Sequence, residues 1–368
     1  MESAGKINAS TLRAWLEAGK KVTVLDIRPM VERKEWYIPG SIHFDAYEQL
    51  KQSNPNALQG INLDKEAPVV TVCAGGRMSL TAADILQSHG YDTYSLEGGM
   101  KAWSLAWNKA SLSFENLEIV QLRRTGKGCL SYILISDKKA IVIDASLPIE
   151  IYEEILNNNH LKLSSVMETH IHADHLSRTK QLADKYSVPV LLPFQSEVLY
   201  DHQKLDNHQQ IRLGEISLHV ITTPGHTLDS TCYLINNQIL FSGDTLFTNA
   251  VGRPDLKASR DEAKQKAERL YNSLQTLTTL HDDIIVLPAH TNSPASFDGK
   301  LIKSTIGEVK SSVTILKLSK KEFVETILTR LPPTPPNHLI IAEKNQSGDL
   351  SGIDPVDLEA GANRCAVS

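Results

Sequence analysis

Four potential metal ligands lie within six consecutive residues of this sequence, in the segment ETHIHADHL at 168–176. They are His170, His172, Asp174 and His175. Imidazole nitrogens and carboxylate oxygens are donors that suit zinc and ferrous iron. Successive side chains of a strand point to opposite faces, so these four residues cannot all share one face of a strand. We therefore expect them in a loop after a strand that ends near VMET (166–169), in a fold that closes this loop around a metal.

Three further potential ligands each follow an apolar segment: His226 in TTPGHT, Asp244 in FSGDTL and His290 in VLPAH. A single histidine is more often an ordinary polar residue than a ligand, and we interpret His208 and His281 in that way. A solvated polar loop would not explain why three later donors also stand at strand ends. The repeated placement therefore favours a metal centre.

Length and composition indicate a globular chain that acts on small molecules. A chain of 368 residues is long enough for two domains. Its net charge of -5 and the absence of a Lys/Arg run give no reason to expect nucleic acid or a membrane surface as a partner. The N-terminal residues lack the features of a signal peptide, and no apolar segment is long enough to span a bilayer, so we predict a cytoplasmic protein.

The first part of the chain alternates between strands and helices, which is typical of a parallel α/β sheet flanked by helices. KVTVLDI (21–27) and PVVTVC (68–73) are apolar segments typical of buried strands. Ser10 and Ser79 are expected to cap helices, the second of which ends at Gly90. This domain is predicted to cover 1–108, with 106–114 containing the linker.

From Leu117 onward, short strands follow one another, with a helix predicted at 149–158. This pattern favours an αββα sandwich, in which two sheets pack face to face with helices outside, over 115–300. A helix is also predicted in SKKEFVETIL (319–328). It belongs to a C-terminal extension, 301–368, that we expect to pack on the second domain.

A lone cysteine, Cys73, stands in the glycine-rich segment VCAGGRMSL at 72–80. Backbone N–H groups and the positive end of a following helix would surround its sulfur. Both lower the pKa of a thiol and stabilise a persulfide anion. The four cysteines form no CxxC pair, so no disulfide framework is expected, and Cys129, Cys232 and Cys365 are interpreted as small buried apolar residues.

Residues 5–106 resemble a rhodanese domain through VLDIRP, YIPGSIHF, the Cys73 segment and LEGGMKAW. The resemblance implies that Cys73 carries sulfane sulfur between thiosulfate, thiol persulfide and sulfite. Many rhodaneses place an arginine five residues after this cysteine, whereas here Met78 occupies that position. The sulfur-binding loop implied by the resemblance consists of Ala74, Gly75, Gly76, Arg77, Met78 and Ser79.

Residues 115–300 resemble the metallo-β-lactamase superfamily through the pattern H-x-H-x-D-H and the separate His, Asp and His that follow. In hydrolytic members, two zinc ions are bound at these positions. The residues here that match the first zinc site are His170, His172 and His226. Those that match the second are Asp174, His175 and His290, with Asp244 bridging both.

The persulfide dioxygenases of the same superfamily instead hold one ferrous iron, with ligands that match His170, His226 and Asp244. Such a set leaves three coordination positions open for substrate and O2. The remaining motif residues would then orient ligands or carry protons. They are His172, Asp174, His175 and His290.

Two neighbouring segments favour the dioxygenases over the glyoxalase II enzymes. Gly252, Arg253 and Asp255 match a G-R-x-D element, whereas glyoxalase II enzymes carry an aromatic pair after the arginine. GCLSYIL (128–134) also resembles the cysteine-containing strand of the dioxygenases. By this resemblance Arg253 and Asp255 would contact the substrate, with the guanidinium receiving a carboxylate of a thiol; an ion pair between them is the alternative.

The sequence therefore predicts an enzyme that oxidises low-molecular-weight thiol persulfides, glutathione persulfide first, with O2 to sulfite and thiol, using one Fe(II) per chain. Thiosulfate and sulfite would be partners of the rhodanese reaction. One alternative is a thioesterase of the glyoxalase II type with two Zn(II), and another is a non-catalytic sulfur carrier or sensor. The sequence leaves open which thiol carries the persulfide and whether the chain is a monomer or a homo-oligomer.

Overall fold

The computed structural model describes residues 3–367. Its N-terminal part contains five strands and five helices. The strands are β1 (Gly5–Ile7), β2 (Thr23–Asp26), β3 (Ile42–His43), β4 (Val69–Val72) and β5 (Thr93–Leu96). The helices are α1 (Ala9–Glu17), α2 (Met30–Glu35), α3 (Tyr47–Lys51), α4 (Arg77–Ser88) and α5 (Gly99–Trp103).

These five strands form one parallel sheet in the order β1-β5-β4-β2-β3. Neighbouring residues of β4 take part in different cores: Val69 packs with Leu86 of α4, whereas Val70 packs with Trp103 of α5. Both faces of the sheet are therefore covered by helices, as parallel sheets require. The predicted α/β class of the first domain is confirmed.

The second part of the chain contains two larger sheets. The strands of its first half are β6 (Asn108–Phe114), β7 (Leu117–Arg123), β8 (Leu130–Ser136), β9 (Lys139–Ile143), β10 (Lys162–Met167), β11 (Val190–Pro193) and β12 (Gln203–Leu205). They form one sheet in the order β12-β11-β10-β9-β8-β7-β6. Two helices, α6 (Ile149–Asn158) and α7 (Thr179–Tyr186), accompany this sheet, and the first of them is the helix predicted at 149–158.

The strands of the other half are β13 (Gln210–Leu213), β14 (Ile216–Thr222), β15 (Thr231–Ile235), β16 (Ile239–Gly243), β17 (Val251–Gly252), β18 (Ile285–Pro288) and β19 (Ser304–Thr305), and its long helix is α8 (Arg260–Thr278). All of these strands except β17 form the other sheet, in the order β13-β14-β15-β16-β18-β19. Tyr132 of the first sheet packs against Phe241 of this one in a shared core. Leu270 of α8 and Tyr152 of α6 lie in the two outer cores, which confirms the αββα sandwich.

Besides β19, the C-terminal extension contains four helices, one 3-10 turn and one further strand among the described residues. They are α9 (Ile306–Ser312), the turn Thr314–Lys317, α10 (Lys320–Thr329), α11 (His338–Ser347), α12 (Pro355–Glu359) and β20 (Ala366–Val367). Phe323 of α10 packs in the same core as Leu270 of α8. Strand β20 pairs antiparallel with β17, so residues 366–367 lie against the second domain.

Three local predictions were wrong. The segment 106–114, predicted as a linker, contains β6, which pairs with β7 from Asn108↔Arg123 to Phe114↔Leu117. Its polar, partly exposed residues mark it as the edge strand of the sheet, which a search for apolar segments overlooks. Helix α4 begins at Arg77 after Gly76, not at a Ser79 cap, and Asn8, not Ser10, caps α1.

The two domains contact each other directly. Trp36 Nε1 donates to the Thr125 carbonyl at 2.8 Å, and Arg124 Nε donates to the Ser104 carbonyl at 2.9 Å. Arg124 also forms a fully buried ion pair with Glu359 of the C-terminal extension at 2.5 Å. None of the helices within 3–367 is both long and apolar enough to cross a membrane.

Candidate metal centre

All seven residues of the metal motif are buried and lie at the ends of strands. The loop after β10 carries four of them, and β14, β16 and β18 each precede one more. Strand ends of packed sheets meet at one edge, so residues distant in sequence converge there. The seven residues are His170, His172, Asp174, His175, His226, Asp244 and His290.

His170, His226 and Asp244 form the first cluster, with one donor atom of each within 4.8 Å of the others. Asp244 Oδ2 lies 3.5 Å from His226 Nε2 and 3.8 Å from His170 Nε2. This carboxylate oxygen is buried and has no hydrogen-bond partner. A buried polar atom without a partner destabilises a fold unless something binds it. These donors therefore fit a metal site formed by two histidines and one carboxylate.

Hydrogen bonds to the other ring nitrogens orient both imidazoles of this cluster. His226 Nδ1 donates to the Arg253 carbonyl at 2.8 Å. His170 Nδ1 lies 3.0 Å from Thr169 Oγ1, and Asp144 in turn accepts from the Thr169 N–H and hydroxyl. With Nδ1 engaged in each ring, Nε2 is the nitrogen left for a metal, as is common for metal-binding histidines.

A second cluster contains Cys129 in addition to Asp174, His175 and His290. His290 Nε2 lies 2.8 Å from Asp174 Oδ2, and His175 Nδ1 lies 3.1 Å from Asp174 Oδ1. The other nitrogen of His290 donates to Asp244 Oδ1 at 2.5 Å, so this imidazole connects the two clusters. Sequence reasoning placed Cys129 among the inert buried cysteines; it precedes an apolar strand and forms no local motif that indicates a ligand.

Electrostatic interactions shift the pKa of several groups here. Burial and the Asp174 carboxylate raise the pKa of the Cys129 thiol, but His175 and His290 outweigh them and lower it to about 6. Burial also raises the pKa of Asp244, and His290 more than compensates, so the carboxylate form is favoured. A deprotonated thiol and carboxylate are the forms that bind metals.

His172 differs from the other motif histidines because two carboxylates face it. Its Nε2 lies 3.1 Å from Asp144 Oδ1 and 3.3 Å from Glu168 Oε2, and both of its ring nitrogens are buried without a hydrogen-bond partner. Burial lowers the pKa of His172, but Asp144 and Glu168 outweigh burial and hold it well above its usual value. Asp144, Glu168 and His172 each place one donor atom within 4.8 Å of the others and so form a further group of potential metal ligands.

The C-terminal extension supplies contacts to the metal loop that the sequence analysis missed. Asn345 Nδ2 donates to the carbonyls of His172 and His175, both at 2.8 Å. Asn363 Nδ2 donates to Asp174 Oδ2 at 2.7 Å. These residues lie about 170 to 190 positions from their partners, and no local pattern marks them.

Cys365 also reaches the metal centre, because its sulfur lies within 4.8 Å of donor atoms of Asp244 and His290. Burial, reinforced by the Asp174 and Asp244 carboxylates, raises the pKa of this thiol well above its usual value. Its surroundings therefore favour the neutral thiol, unlike those of Cys129.

Arg253 is buried and engaged by the protein. Its Nε and Nη2 each donate to one oxygen of Asp255 at 2.8 Å, and its Nη1 donates to the carbonyls of Pro333 and Arg364 at 3.1 Å. A guanidinium has five N–H donors, so only one remains for any other partner. The structure thus contains the ion pair that was the alternative interpretation, while contact of Arg253 and Asp255 with substrate stays a prediction.

Cys73 lies at the end of β4, and the loop that follows directs backbone groups at its sulfur. The Gly76 N–H donates to Cys73 Sγ at 3.1 Å, and Ser79 Oγ lies 3.4 Å from it. Gly76 has φ +90, and a Cβ there would stand 2.8 Å from the Gly98 nitrogen, so only glycine suits this turn. Ala74, Gly75 and Arg77 are exposed and border the thiol.

A cavity of about 490 Å³ opens beside the first cluster and includes His226 in its wall. Its charged residues are three cations and three carboxylates, namely Lys257, Lys266, Arg269, Glu197, Asp229 and Glu262. Burial lowers the pKa of Lys266 to about 8. The cavity thus joins the metal cluster to a wall of mixed charge that could receive a small polar molecule.

Comparisons with known proteins agree with this architecture. Residues 8–106 match the Rhodanese-like domain family, and residues 124–290 match the Metallo-beta-lactamase superfamily. A hydroxyacylglutathione hydrolase of Francisella philomiragia is 31% identical over 169 residues, which are 45% of this chain and 64% of that protein. Another, from Francisella tularensis subsp. novicida, is 35% identical over 161 residues, 43% of this chain and 61% of that protein. The chain thus spans less than two thirds of the length of these curated relatives.

Two crystal structures share the fold of the second domain. A metallo-beta-lactamase from Staphylococcus aureus subsp. aureus COL has a TM-score of 0.58 at 24% identity, covering 64% of this chain and 74% of that one. ETHE1 from Myxococcus xanthus has a TM-score of 0.55 at 25% identity, covering 62% of this chain and 97% of that one. The chain therefore consists of a rhodanese-like domain followed by a domain of the metallo-beta-lactamase superfamily.

Proposed function

We propose that this chain oxidises low-molecular-weight thiol persulfides with O2 to sulfite and thiol, and that its rhodanese-like domain transfers sulfane sulfur. The observation that carries the proposal is the cluster of His170, His226 and Asp244, whose Oδ2 is buried, unpartnered and faces both imidazoles. The likeness to ETHE1 and the match to the G-R-x-D element of persulfide dioxygenases support it.

These three residues would hold one Fe(II), which supplies O2 activation when bound. Asp244 contributes the only negative charge among them. Thr169 and the Arg253 carbonyl fix the two imidazole rings, and the C-terminal extension fixes the loop. The protein would thus hold the three donors in place and bind the substrate beside them.

The cavity beside His226 would receive the thiol carrier. Lys257, Lys266 and Arg269 line it and would pair with carboxylates of that carrier. Hydroxyacylglutathione hydrolases act by name on a glutathione derivative, and this supports glutathione as the first candidate.

In the rhodanese-like domain, the Cys73 thiolate would attack the sulfane sulfur of thiosulfate. The S–S bond of thiosulfate breaks, sulfite leaves with the electron pair, and Cys73 becomes a persulfide. A thiolate then attacks the outer sulfur, which forms a thiol persulfide and restores Cys73. The Gly76 N–H stabilises negative charge on the Cys73 sulfur at both stages.

A dinuclear zinc thioesterase is the second candidate. The second cluster supplies donors for another metal, and the curated relatives are hydroxyacylglutathione hydrolases. This candidate gives the neighbouring rhodanese-like domain no evident chemical role, so we rank it second.

A substrate comparison tests the proposal. The purified chain is given the persulfides of glutathione, coenzyme A and cysteine in turn, and a hydroxyacylglutathione thioester in parallel, with sulfite, thiol and carboxylic acid measured. We expect sulfite and thiol from at least the glutathione persulfide and no thioester hydrolysis. Thioester hydrolysis without sulfite formation would show that the second candidate is correct.

A further inference from the structure

Another cavity, of about 670 Å³, opens where helices α6 and α7 begin, and we call it the Arg178 cavity. Pro148 and Ile149 at the start of α6 lie in its wall, together with Arg178 at the start of α7. The wall also contains three residues of the C-terminal extension, namely Leu350, Ile353 and Pro355. Within residues 3–367 it shares no residue with the cavity beside His226, so a ligand here would not occupy the proposed substrate site.

Arg178 brings a buried guanidinium to this cavity. The residue is 6% exposed, and within residues 3–367 its side chain forms neither a hydrogen bond nor an ion pair. Its backbone groups are engaged, because its N–H donates to the Ala145 carbonyl at 2.8 Å and its carbonyl accepts from the Leu182 N–H at 2.9 Å. The guanidinium is therefore the part of Arg178 that is left for a ligand. Burying a charge without a partner is unfavourable, so this group points to an anion.

Glu359 attracts the Arg178 guanidinium electrostatically, but its carboxylate is already engaged by other groups. Oε2 of Glu359 pairs with Arg124 at 2.5 Å, and Oε1 accepts from the Leu176 N–H at 2.7 Å. Burial lowers the pKa of Arg178, Glu359 opposes this shift and Arg124 reinforces it. An arginine nevertheless stays charged in a protein. One carboxylate thus faces two buried guanidinium groups, and it leaves a positive charge uncompensated.

The helix starts add to the positive potential of the Arg178 cavity. α6 begins after Pro148 and α7 after Arg178, and neither helix has a side-chain cap. The first N–H groups of a helix have no partner within it, and the positive end of its dipole favours an anion. The other charged residues of the wall are Lys185, which pairs with Glu153, Asp184, which pairs with Lys180, and the exposed Glu150. The unpaired buried charge of the wall is therefore positive.

We propose that the Arg178 cavity binds a small inorganic oxyanion, sulfite or phosphate, between the Arg178 guanidinium and the start of α6. A guanidinium presents paired N–H donors that match two oxygens of one such ion. The backbone N–H groups at the start of the helix suit its remaining oxygens. The site goes beyond the proposed function and does not depend on it, although sulfite is the oxyanion that the proposed reaction would release.

Equilibrium dialysis of the purified full chain with radiolabelled sulfite or radiolabelled phosphate, under nitrogen, tests the proposal. Arg178→Gln should weaken the binding of one ion per chain by about tenfold or more, because a charge-assisted hydrogen bond is lost. Glu150→Gln removes a like charge from the wall and should tighten binding. Lys185→Gln is the matched control and should leave binding nearly unchanged, because Glu153 already engages Lys185. Equal binding by the wild type and Arg178→Gln, or no binding of either ion, would overturn the proposal.

A measurement on the unaltered chain covers the case in which Arg178→Gln does not fold. Crystals are grown with selenate, a stable oxyanion whose selenium is located by anomalous scattering. A selenium peak beside the Arg178 guanidinium supports the site. Peaks only at the metal clusters or the Cys73 loop, or an ordered water in place of the ion, would refute it. Neither experiment uses turnover, so failure of persulfide oxidation would refute the proposed function and leave the oxyanion site standing.

Discussion

Asp244 connects the two clusters of potential metal ligands. Its Oδ2 faces His170 and His226, and its Oδ1 accepts a hydrogen bond from His290, whose other nitrogen faces Asp174. One carboxylate therefore fixes the imidazoles of the first cluster electrostatically and the connecting imidazole by hydrogen bonding. In the proposed mononuclear site it is also the only anionic ligand.

Asp244→Ala should accordingly abolish iron binding and O2 uptake together. His290→Ala should retain iron, because it removes a residue that contacts a ligand and not a ligand itself. The loss of such an outer contact typically lowers metal affinity or activity by about 10–100-fold. Elemental analysis measures the iron bound per chain in both variants, and an oxygen electrode measures their O2 uptake. Equal loss of iron in both variants would contradict the mononuclear assignment.

Lys266 gives the cavity a pH dependence. Burial lowers its pKa to about 8, with Asp255 and Asp229 opposing the shift, so the ammonium is lost as pH rises through about 8. If Lys266 pairs with a substrate carboxylate, KM should rise above that pH. Lys266→Arg keeps its charge throughout and should remove the rise. An unchanged KM profile in Lys266→Arg would show that another group titrates.

Among the secondary-structure elements, strand β20 and the residues before it connect the chain end to the metal centre. β20 pairs with β17, the Arg253 N–H donates to the Cys365 carbonyl at 3.0 Å, and the Arg253 guanidinium holds two more carbonyls. Asn363 and Cys365 thereby reach Asp174 and Asp244. Arg253 therefore anchors the C-terminal strand as well as orienting His226.

Arg253→Ala should lower the free energy of unfolding by about 1–3 kcal/mol, because buried carbonyls and the Asp255 carboxylate lose their partner. Denaturant unfolding measures this change. Arg253→Lys, which keeps the charge but not the planar donor set, should recover only part of the stability. Unchanged stability combined with a raised KM would instead support the substrate contact predicted from the sequence.

Most elements that carry the first cluster could be predicted from the sequence, because apolar strands followed by His or Asp are local patterns. The strand at 108–114 could not be predicted, because it is an edge strand whose residues alternate without a continuous apolar segment. Cys129, Asn345 and Asn363 were also missed. Each reaches the site through pairing with segments more than forty residues away, which spacing alone does not reveal. The domain limits 1–108, 115–300 and 301–368 remain predictions.

In the whole molecule, the two proposed reactions are assigned to separate sheets. Cys73 follows β4 of the parallel sheet, whereas the metal clusters lie at the strand ends of the sandwich. The domains meet through Trp36 and Thr125, and through Arg124 with Ser104. Among the described residues, none of the groups of potential metal ligands includes a residue of the first domain. Sulfur transfer and oxidation should therefore be separable.

Cys73→Ser should abolish sulfur transfer from thiosulfate while sparing O2-dependent consumption of added thiol persulfide. A hydroxyl cannot store sulfane sulfur, and its pKa is too high for the loop to produce a useful anion. Sulfite released from thiosulfate and thiol reports the first reaction, and oxygen uptake with preformed persulfide reports the second. Lost oxygen uptake would show obligatory transfer between the domains, and retained transfer would direct attention to another cysteine.

We propose that the cluster of His170, His226 and Asp244 holds one iron, at which O2 oxidises a thiol persulfide. The most direct measurement is oxygen uptake by metal-free protein given one equivalent of Fe(II) or two equivalents of Zn(II), with glutathione persulfide as substrate. We expect oxygen uptake and sulfite release with iron and none with zinc. No uptake with iron, together with thioester hydrolysis by the zinc form, would contradict it.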